Sequence, residues 1–262
     1  MRLALWCGSY FKGFGGAEGG RSWGSLAISV CRSGKTVMTS TSTDQNFICL
    51  DASPVEMDQF WADGWRHFGV WFFRYRAVVH DSKLFNVLPL RIDLHRFTLT
   101  RSLRRVLAKN QDSRTLVRPA FVDEAKEALF LKHRLRFKEN IPSSLDDFLS
   151  PYPDSVPCLN LELCLYLGER LVGVTFLDVG ETATSAVYAM FDPAEMRRSL
   201  GIMMMLQSIQ LSRERECRYY YPGYAYREPF AYDYKKRFVG LEYLDWAAGW
   251  KPYVREREGT EK

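Results

Sequence analysis

The sequence predicts an α/β (α+β) fold: a core domain with a mixed sheet over residues 111–250, a smaller α+β region before it over 1–110, and a charged tail, 251–262. Three observations predict it. Apolar residues make up 47% of the chain and aromatics 15%, so most of its 262 residues belong in or against a core. After Asn110, strand-like and helix-like periodicities follow one another in a definite order. Residues 1–53 differ in texture, with Gly13, Gly15, Gly16, Gly19 and Gly20 and the run Thr39-Ser40-Thr41-Ser42-Thr43.

The same inventory excludes several classes. No apolar run approaches the roughly eighteen residues that a membrane-spanning helix needs. Met1–Cys7 is followed at once by Gly, Ser and Lys, which does not make a secretory signal. The expectation is therefore a cytoplasmic protein with no membrane partner and, by default, a monomer. The 36 basic residues against 31 acidic ones leave a net charge of +5, which matters only where basic side chains cluster. Cys7, Cys31, Cys49, Cys158, Cys164 and Cys217 form no C-x-x-C pair and have no His at ligand spacing, so no metal site is expected. The Gly-rich stretch lacks G-x-x-x-x-G-K-[ST] and a strand-to-helix setting, and reads as a loop.

Element by element, short strands are expected at Leu26–Cys31 and Phe47–Leu50. Val55, Met57, Phe60, Trp61 and Trp65 give one apolar face to a helix over Pro54–His67, with Asp51 or Ser53 as its cap and Pro54 in its first turn. Phe68–Tyr75 and Leu88–Asp93 are rich in β-branched and aromatic residues and read as strands. Leu99–Asn110 carries Arg101, Arg104, Arg105 and Lys109, which with Arg91 and Arg96 make up a basic run that could follow a nucleic-acid backbone. Arg114–Arg118 is a short strand stopped by Pro119. Phe121–Phe137 follows as a helix, and Ser143–Leu149 as a short helix between Pro142 and Pro151. Strands at Asn160–Leu167, Leu171–Val179 and Ser185–Met190 come next, the first two joined by the tight turn Gly168-Glu169-Arg170. A helix over Ser199–Glu216, a strand at Arg218–Tyr221, a helix over Phe230–Phe238 and a last strand at Tyr243–Trp246 complete the series. The order β-α-α-β-β-β-α-β-α-β resembles that of the GNAT-type acyltransferase core.

The most specific stretch begins at Phe191-Asp192-Pro193-Ala194-Glu195, which spells a helix start with a cap, a first-turn proline and a capping-box acid. Arg198-Ser199-Leu200-Gly201 opens the longer helix that follows, whose first N–H groups have no intrahelical partner and suit an anion. In GNAT enzymes the similar R/Q-x-x-G-x-G/A loop holds the pyrophosphate of acetyl-CoA; here Met203 replaces the last small residue. Further on stand Tyr219-Tyr220-Tyr221-Pro222-Gly223-Tyr224-Ala225-Tyr226 and Tyr232-Asp233-Tyr234-Lys235-Lys236-Arg237-Phe238.

Together these motifs resemble the arginyl-tRNA–protein transferase family, including its bacterial leucyltransferase branch, which modifies acidic N-termini. The family's F-D-P, R-S-L-G, G-Y, Y-K-x-x-F and L-E are matched in order by Phe191-Asp192-Pro193, Arg198–Gly201, Gly223-Tyr224, Tyr234-Lys235 with Phe238, and Leu241-Glu242. Upstream, Pro89-Leu90-Arg91-Ile92, Ser102-Leu103-Arg104-Arg105 and Asn110 resemble its P-x-R-I, S-x-R-R and N, so the likeness covers roughly residues 60–245. Two departures stand out. His80–Leu88 holds none of the cysteines that relatives carry before P-x-R-I, so their metal or iron–sulfur cluster is not carried over. Ala231-Tyr232 also stand where a Lys-Met pair is common, which bears on acceptor choice.

The resemblance implies transfer of an amino acid from charged tRNA, as co-substrate and without a further cofactor, to the N-terminal amine of a protein or peptide. The amine attacks an activated ester, so alignment and charge stabilisation matter more than a Ser-His-Asp set, and none is evident. Tyr224, Lys235 and Asp192 are the catalytic candidates: Tyr224 to position ester or amine, Lys235 to contact the terminal phosphates or the acceptor. Arg198, Ser199, Gly201, Arg101, Arg104 and Arg105 are candidates for the aminoacyl-tRNA, whose phosphates need no sequence code. Tyr188, Tyr226, Tyr234 and Arg237 are candidates for the acceptor. An acyl-CoA-dependent N-acyltransferase and a non-catalytic peptide- or RNA-binding member remain alternatives.

Overall fold

The computed structural model describes residues 29–30, 36–38, 44–138 and 141–254; the Gly-rich stretch and residues 255–262 of the expected tail lie outside them. Of the strand expected at Leu26–Cys31, Ser29–Val30 is described, and it forms β1. With β2 (Thr36–Met38), β3 (Gln45–Ile48), β4 (Arg66–Phe68) and β5 (Trp71–Arg74) it makes an antiparallel sheet ordered β1-β2-β3-β5-β4.

Between β3 and β4 lies α1 (Pro54–Ala62), capped by Ser53 through a reciprocal capping box with Glu56. It ends well short of His67 because Gly64 takes a left-handed φ of +83° and Arg66 already starts a strand. The expected single strand Phe68–Tyr75 is instead two, folded back at Gly69 with φ +52°. The helix buries Met57 and Trp61 against Phe47, Phe72 and Tyr221, which fastens this sheet to the larger one.

The larger sheet is built from β6 (Ala77–His80), β7 (Lys83–Asp93), β8 (Ser113–Pro119), β9 (Asn160–Leu167), β10 (Arg170–Val179), β11 (Ala183–Phe191), β12 (Tyr219–Tyr226), β13 (Leu241–Asp245) and β14 (Gly249–Pro252). Its order is β14-β13-β7-β12-β11-β10-β9-β8, with β6 hairpinned onto β7. Among the described residues every neighbouring pair is antiparallel except β11 with β12, so the sheet is mixed, as the GNAT-type resemblance implies. A boundary at residue 110 does not divide it: β7 runs between β12 and β13, because its buried Leu88, Leu90 and Ile92 need the same core as the strands of the second half.

Three helices cover this sheet and the edge beside it: α2 (Arg101–Lys109), α3 (Glu124–Arg134) and α4 (Leu200–Glu214). Neighbouring residues on a strand point to opposite faces. Leu163 and Leu177 accordingly join Leu103, Leu206 and Ile209 under α2 and α4, while Cys164 and Phe176 join Leu129 and Phe130 under α3.

Three expected helices come out shorter or tighter. The one expected from Phe121 begins at Glu124, since the Asp123 side chain accepts the Lys126 N–H and sets the cap there. Ser143–Leu149 and Phe230–Phe238 are represented by single 3₁₀ stretches, Leu145–Asp147 and Ala231–Arg237. By contrast, the strand expected at Arg218–Tyr221 runs on through Pro222-Gly223 to Tyr226.

Candidate functional site

The parallel pair β11–β12 is in register for three residues only: Ala183 with Tyr219, Thr184 with Tyr220 and Ser185 with Tyr221. The next residue on β12 is Pro222, which has no N–H to give, and Gly223 follows with φ +90°. The β12–β7 register shifts across the same stretch. From there β12 follows β7 while β11 stays with β10, and the two parallel strands part.

Arg66, at the start of β4, fills the apex of the opening. Its guanidinium donates to the Ser185 hydroxyl and to the Ala186 carbonyl, the first one that β11 no longer offers to β12. Lys235, on the 3₁₀ stretch Ala231–Arg237, enters from the other side and donates to the Tyr224 carbonyl at 3.0 Å. Both cations converge on Gly223. A side chain there would begin 3.5 Å from Lys235 Nζ and 3.7 and 3.8 Å from Arg66 Nη2 and Nε.

Burial, with Arg66 adding repulsion, pulls Lys235 down to about 7, and burial lowers Arg66 too. Among the described residues no carboxylate forms an ion pair with either; the Tyr232 ring lies 5.0 Å from Lys235 Nζ. Two half-buried cations facing one gap are costly unless something anionic comes between them.

The candidate residues divide into groups. Tyr224, Lys235 and Tyr234 stand together at the opening, and Tyr234 lies against Gly201, 4.0 Å from where a side chain at 201 would begin. Tyr224's hydroxyl is already committed, donating to the Gly64 carbonyl at 2.7 Å, and burial raises its pKa. Tyr188 stacks on Phe148 at 3.8 Å, and its buried hydroxyl has no hydrogen-bond partner among the described residues. Tyr226 is buried behind the opening, bonded to His80 and ringed by Phe85, Phe230 and Tyr232; Arg237 is exposed on the outside.

Asp192 occupies a different place. It caps the 3₁₀ stretch Pro193–Arg198 by accepting the Ala194 N–H, and it pairs with Arg170 at 3.1 Å and Lys132 at 3.6 Å. Arg198 clasps Asp112 through both nitrogens and Glu195 through Nε, while Ser199 sits in the left-handed region, φ 57°, ahead of α4. Met203 is buried with Leu165, Val172 and Leu200, so it does not crowd the turn that it follows.

Arg101, Arg104 and Arg105 are exposed on α2, whose other side is anchored by Leu103. Lys109 donates to the Arg197 carbonyl and Asn110 to that of Arg198, which ties this basic helix to the Arg198–Gly201 turn. Arg91, part of the same basic run in sequence, is instead sandwiched between Tyr219 and Trp250 and paired with Glu242 at 2.7 Å.

Sequence reasoning missed Arg66 and Tyr75, because neither lies in a motif; only the chain reversal at Gly64 and Gly69 brings them in. Tyr75 meets Tyr224 edge-on, with ring centroids 5.3 Å apart. It also borders a cleft of about 600 Å³ lined by Arg74, Arg76, Trp246 and Trp250. Also missed is a buried cluster of His67, Cys158 and Asp178, whose potential ligand atoms lie within 4.8 Å of one another. Hydrogen bonds engage His67 and Asp178: His67 joins Asp178 at 2.6 Å and the Gly69 carbonyl at 2.8 Å, and Asn160 donates to the other Asp178 oxygen.

The family model described as arginine-tRNA-protein transferase, C terminus, matches residues 71–245. Among curated relatives, the aspartate/glutamate leucyltransferase of Helicobacter hepaticus is 27% identical over 186 residues, 69% of this chain and 76% of that one. That of Stenotrophomonas maltophilia strain R551-3 is 32% identical over 180 residues, 66% of this chain and 71% of its own. Of solved structures, the L-PGS of Bacillus licheniformis matches at 14% identity and a TM-score of 0.41, over 61% of each chain.

Proposed function

The chain belongs to the arginine-tRNA–protein transferase family, and from that membership we propose that the opening between β11 and β12 is its transfer site. It is an acyltransferase that takes an amino acid from charged tRNA and delivers it to a protein N-terminus. The observation that carries the siting is the parting of two parallel strands at Pro222-Gly223, with Lys235 and the Tyr224 wall facing the gap. In the reaction the acceptor α-amine attacks the ester carbonyl, the amide C–N bond forms and the C–O bond to the ribose breaks. The amine's proton passes, through water or directly, to the ribose oxygen. The activated ester supplies the driving force, so no further cofactor is called for.

Lys235 and Tyr224 hold the acceptor end, with Tyr224 acting through its ring, since its hydroxyl donates to the Gly64 carbonyl and its own carbonyl accepts from Lys235. Tyr188 and Tyr234 line the way in, and Tyr226 and Arg237 support it from behind and outside. Gly201, Ser199 and the exposed Arg101, Arg104 and Arg105 meet the tRNA end, where α4's first N–H groups suit phosphate. Arg198 and Asp192 serve by bracing that turn through their ion pairs.

The relatives' names support leucine as the amino acid donated and an N-terminal Asp or Glu as the acceptor. Charged tRNA is met in the cytoplasm, where this reading puts the protein, as a monomer. Among the described residues no helix is long and apolar enough to cross a membrane. The test is transfer of radiolabelled amino acids from a charged tRNA pool to peptides with varied N-termini, with acetyl-CoA as a parallel donor. Leucine on acidic N-termini is expected; consumption of acetyl-CoA with no transfer from any tRNA overturns the reading.

A further inference from the structure

The geometry points to Arg66, with Gly223 and Lys235, as the residue that selects the acceptor by holding its side-chain carboxylate. This rests on the reading that the opening between β11 and β12 is the transfer site.

Three observations converge. The Nε–Nη2 edge of Arg66 faces Gly223, the planar fork that matches a carboxylate, while its Nη1 and Nη2 are braced by Ser185 and Ala186. The space in front of that edge is the one a side chain at 223 would fill. It is left open by a glycine whose φ of +90° no other residue adopts at ease. Lys235 closes the far side of the same space, 3.5 Å from it; among the described residues no carboxylate forms an ion pair with either cation, and Asp178 attracts Arg66 only from beyond that range. An incoming carboxylate is what this slot lacks. Held there, an acidic N-terminal residue has its own α-amine only one or two methylenes away, beside Tyr224, where the proposed attack takes place. A neutral amide of the same shape would leave Arg66 and Lys235 without a counter-charge, so discrimination comes from the loss of a charge-assisted pair rather than from size.

The experiment measures kcat/KM for matched peptides beginning with Glu or Gln, using leucyl-tRNA at saturation. Wild type, Arg66→Gln, Arg66→Lys and Ser185→Ala are compared, with tRNA affinity and thermal unfolding recorded for each. Wild type is expected to favour Glu over Gln by roughly 100-fold or more. Arg66→Gln should bring the Glu peptide down to the Gln level, with tRNA affinity within about twofold of wild type. Arg66→Lys should restore part of the preference. Ser185→Ala, which frees the guanidinium without removing charge, should lower the preference several-fold and keeps the test open if Arg66→Gln does not fold.

Equal use of Glu and Gln by wild type overturns the assignment. So does a preference that survives Arg66→Gln and Ser185→Ala, or a fall in Glu and Gln rates alike with weaker tRNA binding, which would make Arg66 a tRNA ligand. Failure of wild type to load any peptide from any tRNA is the distinct result that removes the underlying reading.

Discussion

Lys235 gives up its proton near neutrality because burial strips water from its ammonium and Arg66 repels it, bringing it down to about 7. If it helps to hold a carboxylate, that value has a direct consequence for acceptor choice. Below about pH 7 the free protein already presents two cations. Above it, binding a carboxylate must draw a proton onto Lys235, and affinity for an acidic residue falls by up to about tenfold per pH unit. The α-amine also titrates in this range, but equally for Glu and Gln peptides, so it cancels in their ratio. The Glu:Gln ratio of kcat/KM should therefore drop several-fold between pH 7 and 9 in wild type and stay level in Lys235→Arg. A wild-type ratio that holds steady or climbs over that range would mean that Lys235 does not face the carboxylate.

At the scale of elements, the site depends on how Pro222-Gly223 turns β12 away from β11 and on how α2 is tied to the turn before α4. The second relation makes a prediction about tRNA. Replacing Arg101, Arg104 and Arg105 together by Ala removes exposed charges and leaves Leu103 in the core, so folding should be unaffected. The tRNA KM should rise, and the slope of log affinity against log salt should become shallower by roughly 2–3 units. An unchanged slope would place the tRNA elsewhere on the surface.

Much of this level was legible in the sequence. Pro222-Gly223 and Arg198–Gly201 are local signals, and the strands expected at Asn160–Leu167, Leu171–Val179 and Ser185–Met190 fall within a few residues of β9, β10 and β11. What misled were helical-looking stretches such as Phe230–Phe238, where apolar spacing fits a helix but Tyr232, Tyr234 and Phe238 pack around β12 and α4 in a tighter coil. Arg91 misled as well: it reads as one more charge in a basic run, and only the strand pairing of β13 and β7 brings Glu242 beside it.

For the molecule as a whole, the site belongs to neither half of the chain alone. Arg66 comes from the smaller sheet, Gly223 from the larger one and Lys235 from the segment after it. Asp58 on α1 accepts from the Thr182 N–H and hydroxyl at 2.7 Å, binding the smaller sheet to the turn before β11 and so holding Arg66 at the apex. Such long-range pairing leaves no mark in local periodicity, which is why motifs single out Tyr224 and Lys235 as candidates and pass over Arg66.

The most direct measurement of the central claim is leucine transfer by Gly223→Ala, which puts a methyl group into the slot itself. Unfolding and tRNA affinity are recorded alongside. The structure predicts transfer to an acidic N-terminus reduced by about 100-fold or more, with cooperative unfolding and tRNA affinity retained. Transfer at the wild-type rate by a folded Gly223→Ala would contradict the placement of the reaction between β11 and β12.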